Sequence, residues 1–488
     1  MKKEKWLLLL MCYILLTLAL TACDTEYNDV AIEPEELEVP PDSFEEVFPE
    51  DYYEDAPTPD MDYEMVEIEG IMRRIMPPGS LTIEHFLEDL DYFVYVLENN
   101  FPLLGVANWA HGIDYQEMAA NARASVLSME EPCEGAFLII MIYHFFPLLG
   151  TGHFMIIDLS TFENMVNSNH YGGYRGEKWL MNRELLMSPL ANRFYGEWDE
   201  SRLEESGESV VEDLFETFGG PPSNRFSEGD FIFLPFATEI IEEDRVAYIS
   251  TGSSMAHLQG VGGRVRSFMI DIEDYDHLII DLRGNTGGNI NHFLNNLLRP
   301  LLREAIETPN AFYFFFDGPY VRRFGDLLFR PTTYTGFLTI TEPYRPINEI
   351  SADFNLPDIR HTDIDRMHYG APAGRGGSIE PIQGWGNFDG KVWMLINHQN
   401  GSAAQMAAWY ASETEHITLV GDRTGGAFGG PRTMALMPNT GIAFYFDIFY
   451  VTDRHGNPLE AGTVPHYWSR PGMDALETVL ALIDEWDS

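Results

Sequence analysis

The stretch HLIIDLRGNTGGN, His277–Asn289, decides the predicted fold. Its apolar run Leu278–Leu282 is typical of a short buried strand, and the glycines of Gly284–Gly288 then predict a tight turn. Asn289 is a suitable cap for a following helix. The apolar side chains on one face of that helix are Phe293, Leu294, Leu297 and Leu298. Strand, turn and helix together predict an α/β fold in which backbone N–H groups of the turn can point at a ligand oxygen.

The composition bounds the size and the partners of the protein. With 488 residues and a hydrophobic fraction of 45%, the chain is long enough for two or three globular domains. Its 77 acidic and 30 basic residues give a formal net charge of -47, which argues against nucleic acid as a partner because binding it requires basic patches. The three cysteines cannot build a disulfide framework, and nothing in the sequence indicates a metal site or another cofactor.

The N-terminus reads as a targeting segment. Lys2, Lys3 and Lys5 precede an apolar run, Trp6–Leu20, and Leu-Thr-Ala-Cys then ends at Cys23. This ending resembles the lipobox of bacterial lipoproteins, whose cysteine is lipidated and becomes the mature N-terminus. The alternative is an ordinary cleaved signal peptide or a single anchor helix. Residues 1–22 are therefore predicted to be a signal peptide. Acyl chains on Cys23 would hold the protein on the extracytoplasmic face of a bacterial cell membrane.

The next two segments differ in composition. Residues 23–78 are crowded with Asp, Glu and Pro, which predicts an extended acidic linker. Residues 79–165 are predicted to form a helical domain, in which Thr82 caps the first helix. Two more helices are expected over Tyr115–Leu127 and Cys133–Phe146. The domain ends in a glycine-flanked turn that presents His153.

The remaining chain divides near residue 240. Residues 166–240 have weak periodicity and are interpreted as an insertion of unclear fold. Residues 241–488 return to alternating strand and helix patterns and are predicted to form an α/β domain. A hairpin is expected within Thr433–Val451, and Asp474–Trp486 is predicted to be a closing amphipathic helix.

Ser402 is the first candidate for chemistry. The predicted strand Lys391–Ile396 turns at Asn400–Gly401 into a predicted helix, Ser402–Ala411. A hydroxyl group at this helix N-terminus lies where the helix dipole and free N–H groups favour a developing anion. The alternative is that Ser402 only caps the helix.

A serine nucleophile needs a base, and the chain is poor in lysine. After Lys5 only Lys178 and Lys391 occur, and Lys391 lies at the far end of the strand that leads to Ser402. Histidine therefore remains as the base. The candidates are His153, His398, His455 and His466, of which His398 is disfavoured because strand alternation aims it away from the serine. Glu460 is a candidate carboxylate to orient the histidine.

Several motifs occur in the order of one known family. Asp281–Gly288 (DLRGNTGG) resembles the signature of the tail-specific, or carboxyl-terminal processing, serine peptidases. Gly401–Ala404 resembles their nucleophile motif, and Gly421–Thr424 resembles their next Gly-x-x-Thr segment. Glu460–Pro465 is loosely similar to a later acidic turn of the family. Together these motifs are far more specific than any one of them alone.

The resemblance implies a crotonase-like (Clp protease-like) α/β core and assigns the nucleophile to Ser402. One branch of the family carries a lysine base, but Ala427 stands at that position and Pro431 at that of its glutamine partner. The tricorn-like branch uses Ser, His and Glu, with the histidine on a Gly-His turn to which Gly152–His153 is similar.

In this branch the resemblance implies Ser402, His153 and Glu460 as catalytic residues. By the same analogy, the backbone N–H groups of Gly287 and Ala403 form the oxyanion hole. The expected function is a membrane-anchored serine peptidase acting on peptides or protein tails. A catalytically inactive peptide- or ligand-binding lipoprotein and a hydrolase of small esters or amides remain open, and the sequence indicates no oligomeric state.

Overall fold

A computed structural model describes most of the chain after residue 78. The described ranges are 79–163, 188–197, 232–258, 260–307, 310–318, 345–354, 367–374, 378–382, 388–428 and 432–488, with short pieces between them. The predicted signal peptide, the lipidated Cys23 and the acidic linker lie outside the described residues, as does most of the predicted insertion 166–240. Within the described ranges, no helix combines the length and the hydrophobicity that crossing a membrane requires.

The helices follow the apolar periodicity of the sequence. They are α1 (Ile83–Asn100), α2 (Leu104–His111), α3 (Tyr115–Ser128), α4 (Glu134–Phe145), α5 (Pro189–Glu197), α6 (Gly262–Asp271), α7 (Ile290–Phe293), α8 (Ile347–Phe354), α9 (Ser402–Ser412) and α10 (Ala475–Trp486). Helix α7 continues through a π-helical stretch, Leu294–Leu298, into a last turn. The predicted helices agree with α1, α3 and α4 to within one or two residues, whereas α2 was not predicted.

Most strands are short. They are β1 (Met155–Ile156), β2 (Phe236–Glu242), β3 (Val246–Thr251), β4 (His277–Asp281), β5 (Ile306–Glu307), β6 (Ala311–Phe315), β7 (Thr339–Ile340), β8 (Arg345–Pro346), β9 (Tyr369–Gly374), β10 (Ser378–Ile379), β11 (Lys391–Ile396), β12 (Ile417–Gly421), β13 (Arg432–Leu436), β14 (Ala443–Asp447), β15 (Tyr450–Asp453) and β16 (Tyr467–Trp468).

A six-stranded sheet forms the centre of the α/β region, which begins with β2 at Phe236. Its order is β16-β12-β11-β4-β3-β2, with parallel pairing except for the antiparallel edge strand β2. The carboxyl ends of β4 and β11 therefore meet at the same edge of the sheet, where ligand sites of parallel sheets form. Since β2 already begins at Phe236, the sheet extends beyond the predicted domain start at residue 241.

Both faces of this sheet are covered, because alternate side chains of a strand point to opposite faces. Leu278 and Ile280 of β4 belong to the large core that also contains the alanine-rich helix α9. Ile279 of β4 and Trp393 of β11 face the other way and pack with α10. The α/β class with an N-terminal helical region, predicted from the sequence, is confirmed.

A smaller antiparallel sheet joins the N-terminal helical region to the α/β region. Its order is β1-β14-β13, so the two-residue strand β1 after His153 pairs with the predicted hairpin. The ring of Phe93 in α1 packs edge-on against Phe444 of β14, with 4.8 Å between centroids. Both regions contribute to one continuous core, which holds the two parts of the candidate site together.

Candidate active site

Ser402 occupies the first position of α9, directly above the carboxyl end of β11. It is fully buried, and its φ of 53° lies in the left-handed region that non-glycine residues rarely adopt. Its backbone N–H donates to the carbonyl oxygen of Gly426 at 3.2 Å, which holds this conformation. A strained serine on a strand-to-helix turn is an arrangement typical of nucleophilic serines.

The turn before Ser402 is tied to the glycine turn after β4. The side-chain amide of Asn400 donates to the carbonyl oxygens of Leu282 at 2.6 Å and Asn285 at 3.1 Å. The side-chain oxygen of Asn400 accepts from the N–H of Asn397 at 2.8 Å. One buried asparagine therefore fixes both strand ends relative to each other.

His153 is the candidate base that lies beside Ser402. It ends the short helical turn Thr151–His153 and is buried, with a φ of 53°. Its Nε2 lies 3.0 Å from Ser402 Oγ, although the two residues are 249 positions apart in the chain. The predicted pairing of these two side chains is therefore present in the structure at hydrogen-bond distance.

Asp447, at the end of β14, occupies the other nitrogen of the same imidazole. The distance from His153 Nδ1 to Asp447 Oδ2 is 2.9 Å, and Asp447 is fully buried. The antiparallel register explains this contact: Met155 pairs with Tyr445, so His153, two residues before Met155, lies opposite Asp447, two residues after Tyr445. A carboxylate on Nδ1 fixes the tautomer in which Nε2 can accept a proton from the serine.

Glu460 lies in the site, but its contacts differ from those expected from the sequence. Its two carboxylate oxygens accept from the backbone N–H groups of Gly152 at 3.1 Å and Phe428 at 3.2 Å. The sequence predicted Glu460 as the carboxylate partner of the histidine ring. In the structure that partner is Asp447, whose Oδ2 lies at Nδ1. Glu460 instead holds the turn that carries the histidine.

The predicted oxyanion donors lie beside Ser402. A Cβ at Gly287 would come 2.7 Å from Ser402 Cβ, so only glycine allows this approach. The N–H of Gly287 donates to Asn285 Oδ1 at 3.0 Å, so it must exchange that bond before it can bind an oxyanion. Ala403 follows Ser402 in the first turn of α9, where N–H groups have no intrahelical acceptor.

The other candidate bases have different surroundings. Nζ of Lys391 lies over the rings of Trp393 and Trp486, at the opposite end of β11 from Ser402. His466 Nδ1 accepts from the N–H of Leu419 at 2.8 Å, and burial lowers the pKa of its imidazole. Of the four candidate histidines, the one at hydrogen-bond distance from Ser402 Oγ is thus the one farthest from it in sequence. Lys178 lies outside the described residues.

Backbone strain is concentrated at this site. Within the described residues, the non-glycine residues with positive φ are His153, Asp244, Ser402 and Ala427. Three of these four belong to the nucleophile, the base and the loop behind the nucleophile. Ala427 packs near Gly401, and Phe428 next to it is held by Glu460. Strained residues of this kind persist where surrounding contacts over-determine them, as at catalytic sites.

Asp447 is the residue that the sequence reasoning missed. Its strand reads Ala-Phe-Tyr-Phe-Asp, and a carboxylate that ends a wholly apolar strand is a signal of a buried charged group. That signal indicates burial without naming the partner. The partner follows only from the pairing of β14 with β1, which the sequence does not reveal.

The comparison with protein families agrees with this geometry. A sequence model of peptidase family S41 matches residues 346–468. The matched range contains Ser402, Asp447 and Glu460. The family resemblance indicated by the sequence motifs is thereby confirmed, and with it the class of serine-type peptidases.

Solved structures with a similar fold include mature CPAF complexed with lactacystin, with a TM-score of 0.45 and 13% identity, covering 83% of this chain and 97% of that chain. A lipoprotein from Streptococcus agalactiae has a TM-score of 0.35 and 11% identity, covering 84% and 98%. The photosystem II D1 C-terminal processing protease has a TM-score of 0.26 and 13% identity, covering 46% and 42%. With TM-scores below 0.5, none of these likenesses bears on the roles of individual residues.

Proposed function

We propose that the protein, whose residues 346–468 match the model of peptidase family S41, cleaves peptide bonds through an acyl-enzyme on Ser402, with His153 as base and Asp447 as its carboxylate partner. One observation carries the proposal: a single buried imidazole lies 3.0 Å from Ser402 Oγ and 2.9 Å from Asp447 Oδ2. The expected Ser-His-Glu set is thus replaced by Ser-His-Asp, with Glu460 supporting the histidine turn.

The proposed reaction has two halves: acylation of Ser402 and hydrolysis of the resulting ester. His153 Nε2 takes the hydroxyl proton of Ser402 as Oγ attacks the peptide carbonyl carbon, and the carbonyl electrons move to oxygen. When the carbonyl re-forms, the C–N bond breaks and the leaving amine takes the proton from Nε2. In the second half, water attacks the ester carbonyl carbon while His153 Nε2 takes a proton from it. When the C–O bond to Ser402 breaks, Nε2 gives this proton to Oγ, and the carboxylic acid is released.

The surroundings favour the charged states along this path. His153 and Asp447 are both almost completely buried, so their attraction is weakly screened when the imidazole becomes charged. The oxyanion forms at the N-terminus of α9, beside the N–H of Ala403 and against the glycine turn. Stabilisation of that charge is the main contribution expected from the protein scaffold.

The proposed substrate is an extended peptide or a protein tail outside the membrane. The proposed location is the extracytoplasmic face of a bacterial membrane, with the protein anchored by acyl chains on Cys23. The basic residues before Trp6–Leu20 and the small residues before Cys23 support this location. Acylation of Cys23 is tested by labelling cells with a fatty-acid probe, and Cys23→Ser is expected to lose the label. Retained labelling would exclude this anchor.

The test of the reaction is labelling with a fluorophosphonate probe, together with hydrolysis of a fluorogenic peptide. The purified full-length protein is expected to react with the probe, and Ser402→Ala and His153→Ala are expected to lose both activities. His398→Ala is the matched control and is expected to retain them. Labelling that survives His153→Ala would contradict the assignment of the base.

The inactive-binding alternative gives a different result in the same experiment. A folded parent protein that binds peptide but neither reacts with the probe nor hydrolyses peptide would contradict the proposed activity. Hydrolysis of a small ester without hydrolysis of any peptide would instead support the third function considered from the sequence.

A further inference from the structure

Gln405 is a buried polar side chain that the proposed reaction does not use directly. It is the fourth residue of α9, so it lies one turn after Ser402 on the same side of the helix. It is fully buried in a helix whose neighbouring residues are mostly alanine. A buried amide needs partners for both its donors and its acceptor, and these partners indicate what it does.

The amide of Gln405 is bonded at both ends. Its Nε2 donates to the carbonyl oxygen of Leu459 at 3.2 Å and to Thr463 Oγ1 at 3.0 Å. Its Oε1 accepts from the hydroxyl of Thr424 and from the N–H of Thr463 at 3.4 Å. Thr463 N–H also donates to Thr424 Oγ1 at 2.6 Å. The three side chains thus form one closed polar cluster.

This cluster brackets the turn that carries Glu460. Leu459 and Thr463 lie on either side of Glu460, and the residues Leu459–Ala461 form a single helical turn. Glu460 in turn accepts from the N–H of Gly152, the residue before His153. A path of hydrogen bonds and peptide bonds therefore runs from Gln405 through Leu459, Glu460 and Gly152 to His153. From His153 it returns to Ser402 through the contact of Nε2 with Oγ.

We propose that Gln405 is a positioning residue that sets the place of His153 relative to Ser402 by fixing the Glu460 turn against the nucleophile helix. The inference rests on the proposed function and adds a residue that acts without touching substrate. Its basis is the closed ring of contacts: Gln405 and Ser402 belong to the same helix, and Glu460 is hydrogen-bonded to the N–H of Gly152. Rigid coupling of this kind holds reacting groups in productive geometry, where a displacement of about 1 Å can cost about 10²-fold in rate.

The chemistry of the cluster explains why an amide occupies this position. A carboxylate of the same shape could accept from Thr424 and Thr463 but could not donate to the carbonyl oxygen of Leu459. It would also place a charge in a fully buried site. An apolar side chain of similar length would fill the volume without making the hydrogen bonds from Gln405 to this turn.

The experiment compares Gln405→Met with the matched control Gln399→Met. Gln399 is also buried and lies three residues before Ser402, but its amide oxygen accepts from the N–H of Ile232 at 2.7 Å. Gln405→Met is expected to lower kcat by about 10- to 100-fold with KM within about threefold of the parent, and to slow fluorophosphonate labelling equally. Gln399→Met is expected to change kcat by less than about threefold.

A double-mutant cycle separates positioning from a general loss of stability. If Gln405 acts through Glu460, then Gln405→Met combined with Glu460→Gln is no slower than the slower single variant. Losses that multiply, or a parental kcat in Gln405→Met, would overturn the proposal. Combining Gln399→Met with Glu460→Gln is the control, for which the two effects should multiply.

Hydrogen exchange of the backbone amides distinguishes this inference from the proposed function. Gln405→Met is expected to speed exchange at residues 150–154 and 459–463 while Gln399→Met leaves both segments unchanged. If the parent protein does not react with the probe, the proposed function fails, and exchange at residues 150–154 still decides whether Gln405 holds the turn. Unchanged exchange there in Gln405→Met would overturn the inference.

Discussion

The two halves of the candidate site are built in different ways. The nucleophile half consists of Ser402 and the glycine turn Gly284–Gly288, both at the carboxyl ends of adjacent parallel strands. The base half consists of His153 and Asp447, which lie 294 positions apart and meet through antiparallel strand pairing. Short contiguous motifs thus encode the first half, whereas the second depends on the register between distant segments.

This difference predicts where substitutions act. In the nucleophile half, a change alters a group that reacts or a glycine that allows close approach. In the base half, a change also acts through the position of the histidine, because three separate segments hold it: the turn before β1, the strand β14 and the turn at Glu460. Three substitutions in the base half measure these contributions separately.

The largest effect is expected from Asp447→Asn. The asparagine amide can present N–H groups to Nδ1, which favours the imidazole tautomer that cannot accept the serine proton. We expect kcat/KM for peptide hydrolysis to fall by about 10⁴-fold near neutral pH, as for the corresponding change in a Ser-His-Asp triad. Thermal denaturation should show that the variant remains folded.

Two further variants sharpen this result. Asp422→Asn makes the same chemical change at an exposed position of the loop after β12, and it is expected to keep kcat/KM within about twofold. Glu460→Gln is expected to cost less than Asp447→Asn, because Glu460 accepts from backbone N–H groups instead of the imidazole. If Glu460→Gln lowered kcat/KM more than Asp447→Asn does, Glu460 would be the carboxylate that orients the histidine, as the sequence predicted.

The same contrast explains how far the sequence could be interpreted. The run from His277 to Asn289 and the turn before Ser402 are local patterns, and the structure has the predicted strands, turns and helix at those positions. The glycine-flanked turn at His153 was also predicted, because Gly150 and Gly152 mark it. Both glycines have positive φ in the structure.

The base half could be predicted only in part. Local periodicity predicts the hairpin of β13 and β14 but gives no information on its pairing with β1, which sets Asp447 against His153. The family resemblance directed attention to Glu460, which lies nearby and holds the same turn. Long-range register is therefore the physical information that the sequence patterns lacked.

An intermediate effect is expected from Gly152→Ala. Gly152 has a φ of 49°, and a Cβ there would overlap Leu103 Cδ1 and come 3.3 Å from Asp447 Oδ2. We expect a loss of activity on the order of 10²-fold, because the turn must shift the imidazole. The left-handed conformation should also lower the free energy of unfolding by about 1–2 kcal/mol. Peptide hydrolysis and urea denaturation measure the two effects.

Gly150→Ala is the matched control for this prediction. Gly150 has a φ of 84° in the same turn, but a Cβ there meets no atom within 4 Å. The control should show the stability loss of a left-handed alanine while retaining most of the activity. Equal losses of activity in both variants would contradict the view that close packing at Gly152 positions the base.

The smallest effect concerns the far end of the hairpin, where a buried carboxylate of α1 holds the turn. Asp89 accepts from the N–H groups of Asn439 at 2.7 Å and Thr440 at 2.8 Å, and also from the Thr440 hydroxyl. The guanidinium group of Arg193 donates to the carbonyl oxygens of the same two residues. Burial raises the pKa of Asp89 to about 6 despite these hydrogen bonds.

This raised pKa predicts a pH-dependent stability that Asp89→Asn removes. The folded state holds the Asp89 proton more tightly than the unfolded state, so the stabilisation is complete below about pH 4 and is lost as the pH rises through 6. At about 1.4 kcal/mol per pKa unit, the parent should lose roughly 3 kcal/mol relative to Asp89→Asn between pH 4 and 7. Urea denaturation of both proteins across this range measures the difference.

Asp91→Asn is the control, on the same helix with a side chain that is 62% exposed. Its difference from the parent in free energy of unfolding should hardly change with pH. If the difference for Asp89→Asn were also independent of pH, ionisation of Asp89 would not lower the free energy of unfolding. The hairpin that carries Asp447 would then be held independently of pH.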